Sequence, residues 1–226
     1  MTPQIVVDSN IGELWPLVWQ ATYETLYIVA ITLTLGGVLG LLLGLALYVT
    51  RRGGLYANRA ANLVLNLLVN FFRPIPFVIF IAAVQPLARV VVGTGIGNPA
   101  IIFALTLAAA FGISRIVEQN LVTVEPGVIE AARSVGASRA RIVRTVVIPE
   151  ALGPLVLGYT FAFVALVDMT AIAGVVGGGG LGNFALQYGF RQFDAVVTWT
   201  AVIIIVALVQ VVQLAGNTAA RRILRR

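Results

Sequence analysis

The chain has 226 residues, of which 59% are hydrophobic and 11% charged, where a soluble domain carries about 25% charged residues. Its apolar runs reach spanning length and are continuous rather than alternating, which predicts an all-α integral membrane protein rather than a barrel. It has no Cys, no His and a net charge of +6 with arginine as its only basic residue type, which excludes disulfides, thiol and imidazole catalysis and most transition-metal sites, and assigns the basic balance to cytoplasmic loops rather than to nucleic acid.

The first 20 residues hold Asp8 and Glu13 and no arginine, so the basic start of a signal peptide is absent and none is expected. Five transmembrane helices are predicted within a single domain, residues 1–226. They run from about Tyr23 to Val49, Ala61 to Val84, Pro99 to Val122, Leu152 to Val176 and Ala195 to Gly216. About 20 helical residues cross a roughly 30 Å hydrocarbon core, so each is long enough. Gly36, Gly37, Gly40 and Gly44 in the first span predict close helix packing. Asn58, Asn62, Asn66 and Asn70 recur every four residues and predict an amide stripe that bonds to a neighbouring helix. Arg73, Pro74 and Pro76 mark a break in the second span. Arg115 and Glu118 are spaced to pair on the third.

Arginine placement orients the spans. Eleven arginines follow spans one, three and five, against two, Arg89 and Arg191, on the other side. The positive-inside rule therefore puts the N-terminus outside and the C-terminus in the cytoplasm, where the terminal RRILRR reads as an anchor to anionic lipid.

The loop between spans three and four is then the longest cytoplasmic one, residues 125–149. Pro126 suits a first helical turn, and Val128, Ile129, Ala132 and Val135 form an apolar stripe. Gly136 permits a reversal, Ser138 can cap a second helix carrying Ile142, Val143, Val146 and Val147, and Pro149 would end that helix or kink it into span four. Two short amphipathic helices along the membrane surface are predicted. By physics alone they could dock a partner or simply lie among lipid headgroups.

The residue order is more specific. Glu130-Ala131-Ala132, three residues, Gly136, nine residues, then Val146-Val147-Ile148-Pro149 resembles the EAA loop of ABC importer permeases, with Val146 and Ile148 in place of the usual Ile and Leu. The stretches RPIPFVIF (73–80), VGTGIG (92–97), VVGGGGLG (175–182) and QYGF (187–190) look like those of the methionine importer permeases, over about residues 20–216. The resemblance implies a permease subunit of a bacterial cytoplasmic membrane importer, for methionine or alternatively another small solute such as a different amino acid. It implies a homodimer, two separate ATPase subunits that hold ATP and magnesium, and an extracytoplasmic substrate-binding protein or lipoprotein. This chain itself would be no enzyme and bind no cofactor. Glu130, Ala131, Ala132, Gly136 and Pro149 would engage the ATPase.

Asp168 lies deep in span four, where a charge costs about 2.5–3.5 kcal/mol on insertion scales. Either it lines the translocation cavity, near a substrate amino group, or it is packed at a helix interface beside Thr170. The resemblance implies a small or neutral residue there, so Asp168 departs from it. Gly177, Gly178, Gly179 and Gly180 could be a flexible connector; the resemblance implies a packed outer gate instead. No Gly-Lys-Ser/Thr follows, so this is no phosphate loop. An intramembrane enzyme would need a Ser–His dyad, impossible without His, or two close carboxylates, and Asp168 is the only deep aspartate in a span, so a pair would require a second Asp168 from a dimer partner. A free-standing secondary transporter commonly shows internal repeats, and five spans do not halve.

Overall fold

The computed structural model describes residues 11–174 and 177–224. Asp8, the end of the predicted fourth span at Val176, and Arg225 and Arg226 of the terminal basic cluster lie outside the described residues. Helices α1 (Ile11–Thr50), α2 (Arg59–Phe72), α3 (Phe77–Val92), α4 (Gly97–Val122) and α5 (Pro126–Ser134) come first. They are followed by α6 (Arg139–Ala173), α7 (Leu181–Phe184, continued as a π-helical stretch Ala185–Phe190) and α8 (Ala195–Leu224). Four of them, α1, α4, α6 and α8, are long and apolar enough to cross a membrane, and α2 with α3 makes a fifth if the pair is one broken span.

The break falls where the prolines require it. Pro74 and Pro76 have no N–H to offer the preceding turn. The chain closes with Arg73 N–H on Val69 O at 3.0 Å and Ile75 N–H on Phe72 O at 3.2 Å, and helix resumes at Phe77. Several spans are longer than predicted. α1 starts at Ile11 because its first turns bury Val18 and Ala21 in protein, a signal that mean hydropathy does not carry. α8 continues to Leu224, whose side chain sits over Gly153.

The chain forms two compact units, and α1, α4, α6 and α8 each contribute to both. Unit 1 holds residues 1–32, 77–105 and 164–211. Its core packs Val18 and Ala21 of α1 against Leu181 and Phe184 of α7 and Val197 and Ala201 of α8. Asp194 starts α8 by accepting the N–H groups of Val196 and Val197 at 2.9 and 3.1 Å.

Unit 2 holds residues 33–76, 106–163 and 212–226. Here α1 and α4 touch backbone to backbone along Gly36, Gly40 and Gly44, as the glycine spacing predicts. A Cβ on Gly44 would stand 2.5 Å from the Ser114 carbonyl, so any larger residue would force the helices apart. Tyr159 of α6 donates its hydroxyl to Gly37 O at 2.7 Å. A groove of about 510 Å³ lies among α1, α6 and α8. The hydroxyls of its lining residues Tyr159 and Thr160 are already engaged by backbone carbonyls, so it offers no convergent polar groups to a solute.

Candidate functional site

The charged loop is built to be presented. Glu125 is extended, Pro126 opens α5, and none of the nine residues of α5 is buried. Glu130 and Ala131 are exposed and Ala132 is half-buried. The predicted apolar stripe is only partly covered: Ile129 and Ala132 are half-buried, while Val128 is exposed and Val135 is 82% exposed. An isolated helix this short is marginal in water, so the uncovered part of an apolar stripe on it suits a docking partner. Glu130 makes no ion pair or hydrogen bond with any other described residue. Gly136 takes φ +79°, and Ala137 N–H closes on Ala132 O at 3.1 Å. Ser138 Oγ then accepts Arg141 N–H at 3.4 Å and starts α6, as its sequence position predicts.

Of the two outcomes predicted at Pro149, a helix end is not found: the helix runs through it into span four. The loop holds one short helix, α5, and its second half is the first part of a continuous α6. A π-helical turn, Val143–Val147, ends one residue short of the proline, and Ile148 N–H bonds Val143 O, five residues back. The wider turn relieves the clash of a proline ring with the carbonyl four residues before it. Ile142, Val143 and Val147 are buried, so this segment is anchored while α5 is displayed.

The glycine run is a packed loop rather than a slack connector. Three successive N–H groups are each taken by a side chain: Gly179 by Asn98 Oδ1 at 2.9 Å, Gly180 by Glu24 Oε2 at 2.9 Å and Leu181 by Thr25 Oγ1 at 2.8 Å. Gly177 and Gly180 have φ of +91° and +101°, and a Cβ on Gly178 or Gly179 would collide with Ile101 or Glu24. A cleft of about 260 Å³ lined by Gln20, Glu24, Asn183, Gln187 and the four glycines lies beside it in unit 1. Sequence reasoning missed Glu24, Thr25 and Asn98. The available signal was a carboxylate, Glu24, at the start of the predicted first span.

Asp168 is exposed on α6 and has no hydrogen-bond or ion-pair partner among the described residues. Thr170 is buried and donates to Val167 O at 2.7 Å, so it does not serve Asp168.

Arg115, Glu118 and the asparagine stripe, separate in the sequence, form one cluster in unit 2. Arg115 Nη1 donates to Glu118, and Nη2 donates to Asn66 Oδ1 at 2.7 Å and Asn70 Oδ1 at 2.8 Å. Asn58 differs from the other three: it caps α2 by accepting Ala61 N–H at 3.0 Å.

A family profile described as "binding-protein-dependent transport system inner membrane component" matches residues 36–226. The chain belongs to this family. It is therefore a multi-pass inner-membrane transport component, not itself an enzyme. It is 40% identical over 92% of its length to a probable D-methionine transport system permease protein, MetI, of Vibrio cholerae, covering 92% of that protein. It is 42% identical over 88% of its length to the methionine import system permease protein MetP of Bacillus subtilis, covering 90% of it. Its fold superposes with a TM-score of 0.90 and 40% identity on a chain of the MetNI methionine ABC transporter in an inward-facing conformation, covering 93% of this chain and 98% of that one. A chain of an amino acid ABC transporter superposes at 0.72 with 23% identity, a likeness of fold.

Proposed function

We propose that this chain is the permease subunit of an ATP-driven methionine importer. Two copies would form the translocation path, with two separate ATPase subunits holding ATP and magnesium and an extracytoplasmic protein delivering substrate. The N-terminus would lie outside and the C-terminus in the cytoplasm. The observation that carries this role is α5: a helix with no buried residue, with Glu130 unpaired among the described residues and its apolar stripe only partly covered, ordered as EAA-x3-G. Ala131 and Ala132 let a partner approach closely, while Glu130 and the flanking arginines supply charge-assisted contacts that set its register. ATP-driven closure of the motor would then bring the two α5 helices together and shift the spans between inward- and outward-open states. Asp168 would line the path, since a carboxylate left uncovered by its own chain is costly against lipid. Gly177, Gly178, Gly179 and Gly180 would form part of the outer gate.

Substrate identity rests on the relatives named above and on the residue stretches they share. Uptake of labelled methionine into vesicles, with unlabelled methionine and other amino acids as competitors, separates methionine from a different amino acid. Gly136→Leu tests the coupling. Beyond its chain neighbours, none of the described residues lies within 4 Å of a Cβ at Gly136, so the change acts on the turn and on whatever docks there. It should leave the chain in the membrane, release the ATPase in a detergent pull-down and abolish ATP-driven uptake. Normal uptake by this variant would remove α5 as the handle.

A further inference from the structure

Arg115 can only donate hydrogen bonds. Asn66 and Asn70 must therefore turn their amide oxygens toward it. Asn66 then has its NH₂ free for the other side, and donates it to Asn62 O and Oδ1 at 2.8 and 3.0 Å. Asn62 donates in turn to Leu47 O and Thr50 Oγ1 at 3.0 and 3.1 Å, and Thr50 donates to Ala46 O at 2.7 Å. One cation on α4 so orients the amides of α2, and the chain of donors ends on carbonyls of the last turns of α1. Leu47 O is one of the carbonyls that a helix end leaves without an intrahelical partner. Every link is polarised in the same sense, an arrangement in which hydrogen bonds strengthen one another. Arg115 and Glu118 are only 14% and 18% exposed, so the ion pair is largely shielded from competing water, while Asn70 lies at the exposed edge of the cluster.

Packing alone does not call for this. Apolar residues of similar volume fill such a space without desolvating a charge pair, and are often neutral or stabilising. What they lack is direction: they would let α2 slide on α4. We propose that Arg115 is a positioning residue for transport, locking α2 and the C-terminal turns of α1 to α4 so that a pull on α5 moves all three as one piece. α5 follows α4 after residues 123–125 only, and the linked parts of α1, α2 and α4, together with α5, all lie in unit 2. The role rests on the coupling function proposed for α5.

The test uses the full complex in proteoliposomes and measures methionine taken up per ATP hydrolysed. The charge-balanced double variant R115L/E118L leaves no buried charge unpaired. It should assemble with the ATPase and hydrolyse ATP, yet lose about fivefold or more of its uptake per ATP. R115K keeps the charge but not the planar fork, and should fall between it and the natural chain. Uptake and hydrolysis falling in proportion, or an unchanged ratio, would overturn the proposal. If the double variant fails to assemble, R115K decides on the same ratio. Gly136→Leu separates the two ideas. Normal uptake by that variant sinks the coupling role of α5 itself, whereas loss of its uptake with an unchanged ratio in the Arg115 variants sinks the positioning role alone.

Discussion

Asp168 and Glu24 are both carboxylates in apolar helices, and their surroundings give them different work. Glu24 accepts Gly180 N–H through one oxygen and Gln20 Nε2 through the other, at 2.9 and 3.0 Å. Its charge stands at the start of α7, where a negative group is favourable. Asp168 has no such contact among the described residues and is exposed. Removing Glu24 leaves an N–H of the glycine loop unsatisfied at a cost of about 1–3 kcal/mol. Removing the Asp168 charge leaves the protomer within about 0.5 kcal/mol of its original stability, as for other substitutions that break no contact. Melting of the detergent-solubilised complex should therefore fall for Glu24→Ala and stay level for Asp168→Asn, while uptake falls for Asp168→Asn. A lower melting temperature with unaltered uptake for Asp168→Asn would return that residue to a packing role.

At the scale of elements, legibility followed the range of the interaction. α4 was readable to within two residues, because a continuous apolar run bounded by Gly97 and Pro99 is a local signal. The stop before Pro74 was equally local. The meeting of Arg115 with Asn66 and Asn70 joins residues 49 and 45 positions apart, and neither the four-residue amide spacing nor the Arg-x-x-Glu spacing says what lies opposite. α7 escaped notice because its start depends on side chains of α1 and α4. The sequence left Pro149 either ending its helix or kinking it into span four, and the first does not occur for a definite reason: a proline ends an α-helix but not one whose preceding turn has opened to i+5 bonding. That turn inserts an extra residue and so rotates everything before it by about 100° relative to an unbroken helix. Pro149→Ala permits the turn to close, relieving part of the roughly 3 kcal/mol penalty of an interior proline. The variant should melt no lower than the natural chain and yet transport more slowly, because the start of α6, and α5 with it, would be re-aimed. Unchanged uptake with a raised melting temperature would show that the π-turn serves only to accommodate the proline.

For the whole molecule, the placement of α5 on the motor side depends on orientation across the membrane, inferred from eleven arginines against two. The chain has no cysteine, so single cysteines can be introduced into it as it stands and read without background. Gly12, near the start of α1, and Val135, just past the end of α5, are both exposed, and a Cβ on Gly12 would meet none of the described residues beyond its chain neighbours within 4 Å. In intact cells a membrane-impermeant maleimide should label Gly12→Cys and leave Val135→Cys untouched, and both should react once the membrane is permeabilised. Co-expression with the ATPase should then protect Val135→Cys even in permeabilised cells, since the open part of the α5 stripe would be covered, while Gly12→Cys continues to react. Labelling of Val135→Cys from outside would invert the topology and take α5 away from any cytoplasmic motor. Correct sidedness without protection would keep the orientation and leave the stripe to the lipid headgroups.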